Sequence, residues 1–429
     1  MLARIKRGKI PQPTTAEASG GRFHQFRALG YRDFRILWTG SAVSAVGTWM
    51  QIVALGLLVL DLTHGSAAAL GAVSLAQALS FLFFSPIGGS AADRFDKRRL
   101  LLLTQSIMMG LAVLLGILTM AGMVRFWMIP LFVFVSSAAL SFDQPARNAL
   151  IASFVPKEHL MNAVALQSAV FNGASILGPV LAGLALSRIG YSGNFFLNAA
   201  SYCAVLVALL LLKTSSWQET ARPVSRVWDS VREALRYVRQ DAVLPSVVSI
   251  YGALLFFGPS AALMVPWFAR QILHVGPGQL GLLFSAVGTG TVCSALIIAT
   301  LGDLPYKTRL VFGSILLWMM ALLVFGLSGS LLVSVSALFV LGAAQNAAGS
   351  TTITLLQTRV PPEMRGRAMG LNTLLIMCVR PLGDFPAGMV ISTLGLRFAV
   401  VLSAAIVGVI WLMIVLSRRA VRTEGFGGG

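Results

Sequence analysis

The chain has 429 residues, with 33 Lys and Arg against 15 Asp and Glu for a formal charge of +18, and it is 56% hydrophobic with only 11% charged residues. A water-soluble domain carries roughly 25% charged residues, so this composition excludes a soluble globule and, with it, a nucleic-acid reading of the positive charge. Cys203, Cys293 and Cys378 lie singly in long apolar stretches, which leaves no disulfide framework and no metal site. No G-x-x-x-x-G-K-[ST] loop occurs, so neither a nucleotide cofactor nor an ATPase subunit is implied.

A bilayer core about 30 Å thick takes about 20 apolar residues as helix. Charge-free stretches of that kind run Ile36 to Leu60, Gly65 to Ala92, Leu100 to Val124, Phe126 to Phe142, Leu160 to Ser187, Ile189 to Leu212, Ala242 to Ala269 and Gln271 to Gly302. The charge-free run Leu310 to Thr358 is too long for one crossing, and Gly326 to Ser330 divides it in two. Ala368 to Leu396 and Phe398 to Ser417 complete twelve predicted spans. With both termini inside, 28 of the 33 basic residues fall in inner loops and tails and four in outer loops, which is the positive-inside pattern. The charge is therefore a topology signal, and the partner it implies is the lipid bilayer.

The expected fold is an all-α membrane protein with twelve transmembrane helices. Residues 1–33 form a cytoplasmic tail, 34–212 and 242–417 two six-helix halves, 213–241 a linker and 418–429 a second cytoplasmic tail. The tail to Gly21 and the C-terminal GFGGG read as disordered, and the first span as retained rather than cleaved. In the linker, Val227, Val231, Leu235 and Val238 recur at helical spacing with Trp228, while Arg232, Arg236 and Arg239 take other faces. That pattern predicts an amphipathic surface helix. A shift of 205 positions aligns Val155-Pro156-Lys157-Glu158 with Val360-Pro361-Pro362-Glu363, and Gly178 and Ala182-Gly183 with Gly383 and Ala387-Gly388. Spans five and eleven thus correspond, as two halves related by an axis along the membrane normal require.

At the inner end of span two stands Gly89-Ser-Ala-Ala-Asp93-Arg94-Phe-Asp96-Lys97-Arg98-Arg99. It resembles the G-x-x-x-D-[RK]-x-G-[RK]-[RK] loop signature of the major facilitator superfamily of secondary transporters, with Asp96 in place of a glycine and Gly302-Asp303 opening a degenerate echo. Span five carries Gly173, Gly178, Pro179 and Gly183 in a stretch similar to the G-P-x-x-G-G motif of antiporters, with Ala182 replacing one glycine. Close helix packing and a bend at Pro179 would use the same residues. Asp143-Gln-Pro145-Ala-Arg147 and the RGRAMGL of Arg365 to Leu371 narrow the resemblance to the bacterial subgroup of the enterobactin exporter and the transmembrane secretion effectors.

Gly89, Asp93, Arg94, Lys97, Arg98, Asp143 and Arg147 are the expected cytoplasmic gate. Asp143, at the inner face, would pair with the Lys97–Arg99 loop, and Asp93 would accept hydrogen bonds from the start of span eleven near Ala368 while that side is closed. Arg380 and Asp384 are the expected charges within the membrane, on span eleven alone. Four residues apart, they share a face and can pair. Two readings stand: Asp384 carries a proton while Arg380 tunes it or meets an anionic substrate group, or the two form a structural ion pair. Gln51, Gln77, Gln105, Gln167, Asn172, Gln345, Asn346 and Asn372 are the uncharged polar candidates for the path. All four histidines fall in tails or loops, which argues against a histidine relay.

The resemblance implies secondary active export of a small organic solute, a drug, siderophore or other secondary metabolite, by alternating access in exchange for protons, from a monomer in a bacterial inner membrane. Uptake or facilitated diffusion of a metabolite or lipid is the alternative within transport. A membrane sensor or scaffold would want a larger extramembrane domain than the linker supplies, and no constellation of catalytic groups indicates an enzyme.

Overall fold

A computed structural model describes residues 24–213, 227–302 and 306–417. Both predicted disordered tails, linker residues 214–226 and Asp303 of the echo lie outside the described residues. Among the described residues there is no strand. The helices are α1 (Arg32–Leu62), α2 (Ala67–Arg94), α3 (Lys97–Met120), α4 (Met128–Phe154), α5 (Lys157–Leu211), α6 (Val227–Gln240), α7 (Leu244–Phe257), α8 (Ala261–Gln271), α9 (Pro277–Leu301), α10 (Lys307–Leu327), α11 (Leu331–Arg359), α12 (Arg365–Leu374), α13 (Arg380–Leu394) and α14 (Leu396–Ser417).

Eleven helical stretches among the described residues are long and apolar enough to cross a bilayer. The 55-residue α5 is divided at Gly190, whose φ of 66° and ψ of −168° a side chain would not tolerate. That turn falls where the fifth and sixth spans were expected to part, and it brings the apolar segments to twelve. The backbone keeps helical dihedrals through Pro179. Likewise α10 ends at Leu327 and α11 begins at Leu331, on the GLSGS segment.

Three elements depart from the sequence expectation. First, α4 runs on to Phe154, twelve residues beyond the charge-free stretch, so that Asp143 and Arg147 are helical rather than loop residues. At 1.5 Å per residue Asp143 lies about 22 Å along a helix about 40 Å long. Second, the seventh stretch is interrupted at residues 258–260. Pro259 has no N–H and pushes Gly258 into an extended conformation (φ −83°, ψ 113°), which ends α7. Ser260 then caps α8, its hydroxyl accepting a hydrogen bond from the Leu263 amide. Third, the eleventh stretch is α12 and α13 joined by a π-helical turn over Leu375–Val379. Pro381 offers no amide to the carbonyl of Met377, which favours such a widening.

Within the first part of the chain α1 lies along α5, α2 along α4, and α3 against both α4 and α5. In the later part α9 and α10 pack on α11, and α14 on α10, α7 and α13. The two parts meet where α2 packs on α13, the π-helical turn before it and α8, where α5 packs on α9, and where α1 packs on α8. Phe195, Phe268, Phe325 and Trp318 are buried inside, with the rings of Phe268 and Phe325 4.2 Å apart. Leu184, Leu210, Leu296 and Leu412 point outward and exposed, as lipid-facing side chains do. Helix α6 packs on α12. Its Ala234 and Val238 are buried, Arg232, Arg236 and Arg239 are exposed, and Glu233 pairs with Arg367 at 2.5 Å. The predicted amphipathic face is therefore present; the side chains of Val227 and Trp228 lie outside the described ones.

Candidate functional site

The break in the seventh stretch places the start of α8 inside the bundle, where its first amides have no intrahelical partners and carry partial positive charge. Asp384 answers them: its Oδ1 accepts a 2.8 Å hydrogen bond from the Ser260 amide. The carboxylate is 3% exposed, with the hydroxyls of Ser260 and Ser74 beside it. Three helices thus meet at one acid, α13 supplying it, α8 its donor and α2 its neighbour. Gly71 makes this approach possible, since a Cβ there would lie 2.8 Å from the Asp384 carbonyl oxygen.

The expected Arg380–Asp384 pair does not form. Arg380 donates from Nη2 to Gln345 Oε1 on α11 at 3.1 Å, and no carboxylate lies within 4.0 Å of it among the described residues. The two residues share α13, but the Ser260 amide at the start of α8 claims the shorter side chain, and the longer one reaches α11.

The second buried charge cluster corrects another expectation. Asp143 does not reach Lys97, Arg98 or Arg99; it pairs with Arg147 one turn on along α4, Nη2 to Oδ1 at 2.9 Å. Its second oxygen accepts from Thr104 Oγ1 at 3.0 Å and Gln105 Nε2 at 2.6 Å on α3. Arg147 also donates to Ser41 Oγ on α1 at 2.6 Å, so the cluster ties α1, α3 and α4 together. A buried charge pair with its remaining sites filled by hydrogen bonds is tolerable where a lone charge is not. Charge inside the spans is thus not confined to the eleventh.

The remaining gate residues sit apart from both clusters. Asp93 and Arg94 are exposed, and Asp93 has no hydrogen bond or ion pair among the described residues. Lys97 is half-buried at the start of α3. Arg98 donates to the carbonyls of Leu210 and Leu212 at the end of α5, at 2.9 and 3.3 Å. Asp96, where the signature has glycine, caps α3 through the Arg99 amide at 2.8 Å. Around Gly89, and around Gly366 and Gly370 of the RGRAMGL segment, a Cβ would meet nothing within 4 Å.

The opposite ends of the same helices are clasped. Arg270 at the end of α8 pairs with Asp61 at the end of α1, and Tyr191, just past the α5 turn, donates to the other Asp61 oxygen at 2.5 Å. Trp267 Nε1 donates to the Gly65 carbonyl at 3.0 Å, and Ser392 Oγ accepts from the Ala68 amide at 2.8 Å. The antiporter-like residues run along α5 toward this end. Gly178 packs on Val46 and Trp49 of α1, the Pro179 carbonyl lies against Gly281 of α9, and a Cβ at Gly183 would lie 2.6 Å from the Pro277 carbonyl oxygen; Gly173 faces open space. Asp61, Arg270, Tyr191 and Ser260 were not singled out from sequence, although Gly258-Pro259-Ser260 is a legible helix breaker.

The uncharged polar residues divide. Gln51 accepts a 2.5 Å hydrogen bond from Asn198 and is spent in the α1–α5 contact. Gln345 is spent on Arg380. Gln167 Oε1, Asn346 Nδ2 and Asn372 Oδ1, with Gln105 Oε1, are buried without a partner among the described residues. Asn172 and Gln77 are half-buried.

Helix bundles of this build are known in transporters. The chain resembles a solved bacterial homologue of the lysosomal transporter Spinster in an inward-facing, unoccupied conformation, at a TM-score of 0.73 and 14% identity over 94% of this chain and 99% of that one. The nucleoside transporter NupG superposes with a TM-score of 0.71, 14% identity and coverage of 90% and 98%. In sequence it is 23% identical to the uncharacterized MFS-type transporter YfiS of Bacillus subtilis over 91% of this chain and 94% of that one. It is 26% identical to the enterobactin exporter EntS of Citrobacter koseri (87% and 88% covered), and 21% identical to macrolide efflux protein A of Streptococcus pyogenes (87% and 93%). The transmembrane secretion effector model matches residues 24–424. The chain belongs to the transmembrane secretion effector family of major facilitator transporters.

Proposed function

We propose that this transporter exports a small organic solute, a drug, siderophore or other secondary metabolite, in exchange for protons by alternating access, with Asp384 as the proton-carrying group. The names of the relatives, an enterobactin exporter and a macrolide efflux protein, support export. The observation that carries the coupling is the seat of Asp384: one carboxylate is the junction of α2, α8 and α13, on the seam between the first and last six spans. Ionised, it holds the start of α8 by a charge-assisted hydrogen bond. Protonated, it holds that amide more weakly and the seam loosens. A proton entering from one side and leaving to the other would then alternate the two openings.

The reading places residues 34–212 and 242–417 as the two rocking halves, joined by the 213–241 linker, in the inner membrane of a bacterium with both termini cytoplasmic. The 28 to 4 partition of basic residues supports that orientation. The clasped end, with Asp61 and Arg270, is then periplasmic, the end with Asp93 and Gly89 cytoplasmic, and the conformer inward-facing. The protein works as a monomer.

Efflux of a panel of dyes, antibiotics and siderophores, from cells stripped of their own exporters, tests this. Wild-type efflux should collapse with a protonophore, and Asp384→Asn at equal expression should lose the dependence on the proton gradient. Efflux indifferent to the protonophore would make the protein a facilitator, and accumulation instead of efflux would reverse the direction.

A further inference from the structure

Arg380 makes no ion pair within 4.0 Å among the described residues. Its neighbour in charge, Asp384, is turned to α8 and 3% exposed, and among the described residues Arg380 has one hydrogen-bond partner, the neutral Gln345. The comparison within the same molecule is Arg147, whose charge meets Asp143 at 2.9 Å. A guanidinium inside a membrane bundle is costly unless a counter-charge or water answers it, and at Arg380 no carboxylate comes within 4.0 Å among the described residues, Asp384 acting on it only from farther off.

What surrounds Arg380 offers donors. Gln345 and Gly349 lie four residues apart on one face of α11, their positions about 6 Å apart. Arg380 sits over Gln345, and the Tyr251 hydroxyl of α7 sits over Gly349, where a Cβ would come within 2.8 Å of it. Glycine at 349 is what leaves room for that hydroxyl. Tyr251 is 4% exposed and its hydroxyl makes no hydrogen bond among the described residues. On the next residue of α11 the Asn346 amide nitrogen is likewise buried and unpartnered. A guanidinium, a phenol O–H and an amide N–H therefore lie along one stretch of α7, α11 and α13, the last two without an acceptor and the first without a contacting carboxylate among the described residues.

Resting on the transport reading above, we propose that the solute is an organic acid and that its oxyanion, a carboxylate or an acidic phenolate, docks on Arg380 with Tyr251 and Asn346 as further donors. The planar guanidinium fork matches a two-oxygen anion, and the anion removes the charge deficit that the empty site carries. Neutral esters leave Arg380 unmet, and cationic amines are repelled by it.

The test uses the purified full chain in lipid nanodiscs without a proton gradient, with 2-naphthoate, its methyl ester and 2-naphthylmethylamine as probes in calorimetric titrations at pH 7. The acid should bind at least about tenfold more tightly than the ester or the amine, as one charge-assisted pair implies. Arg380→Gln should bring acid and ester within about twofold of each other, and Tyr251→Phe should reduce the preference several-fold while leaving it in place. Acid binding no tighter than ester binding, including binding of neither, overturns the proposal, as does an acid preference that survives Arg380→Gln. If Arg380→Gln does not fold, an unchanged preference in Tyr251→Phe overturns it and a reduced one supports it. Because no gradient is present, failure here leaves proton-coupled export standing, and loss of proton coupling in Asp384→Asn leaves the binding preference standing.

Discussion

Asp384 accepts a 2.8 Å hydrogen bond from the Ser260 amide, so the carboxylate of one helix completes the first turn of another. Asp384→Asn keeps an oxygen for that amide, whereas Asp384→Ala leaves a buried N–H unpaired. The alanine variant should lose about 1–3 kcal/mol of stability and the asparagine variant much less, seen as an ordered fall in the melting temperature of purified protein. Equal melting temperatures for wild type and both variants would show that the bond contributes nothing to the seam.

The Asp143–Arg147 cluster makes a different stability prediction. Arg147→Ala strands a carboxylate that is 3% exposed, with only Thr104 and Gln105 to answer it, and breaking such a pair costs about 3–5 kcal/mol. Asp143→Ala strands the arginine in the same way. The double variant strands neither, so its loss should fall well short of the sum of the two. Thermal melts of the four proteins check this, and strict additivity would mean that the two charges act independently.

How much of this was legible in the sequence depends on what sets each feature. The span limits were, because absence of charge over about 20 residues is a property of composition; the turns at Gly190 and at Gly326 to Ser330 fell where expected. The extension of α4 was not, because Asp143 and Arg147 end a charge-free run. Only the tertiary contacts from Thr104, Gln105 and Ser41 show that the charges are satisfied inside. Arg380 and Asp384 were legible as a site but not in their orientation, since i,i+4 spacing permits a pair while partners on α8 and α11 decide where each side chain goes. The break at Gly258-Pro259-Ser260 was written in plain residues and masked by the apolar runs on either side.

The clasp of Asp61 with Arg270 and Tyr191 should bias the protein toward the conformer described. Both charged side chains are partly exposed, 36% and 45%, so the pair contributes up to about 1 kcal/mol, about a fivefold change in populations. Asp61→Asn or Arg270→Gln should widen the distance distribution of a spin-label pair on Leu62 and Leu273, in a background with the native cysteines replaced. Exchanging the charges, with Asp61→Arg and Arg270→Asp together, should narrow it again. A distribution unmoved by either single change would leave the helix seams alone as the closure.

Asp93 yields the opposite expectation. It is exposed and has no partner among the described residues, and a Cβ at Gly89 or at Gly366 would meet nothing within 4 Å. If Asp93 accepts from the first amides of α12 once its end of the bundle closes, its charge stabilises only the other conformer, by roughly 0.3–1 kcal/mol at an exposed helix start. On the proposed inward-facing reading, Asp93→Asn should then leave the melting temperature where it was while slowing efflux, because the state closed at that end is reached less often. The two readouts separate the possibilities: unchanged efflux at equal expression removes Asp93 from the gate, and a lowered melting temperature gives it a role in the conformer where it has no partner. A cysteine pair joining position 93 to Gly366, cross-linked only during turnover, would place the two ends together in the transport cycle. Cross-linking without turnover would show that they already meet at rest.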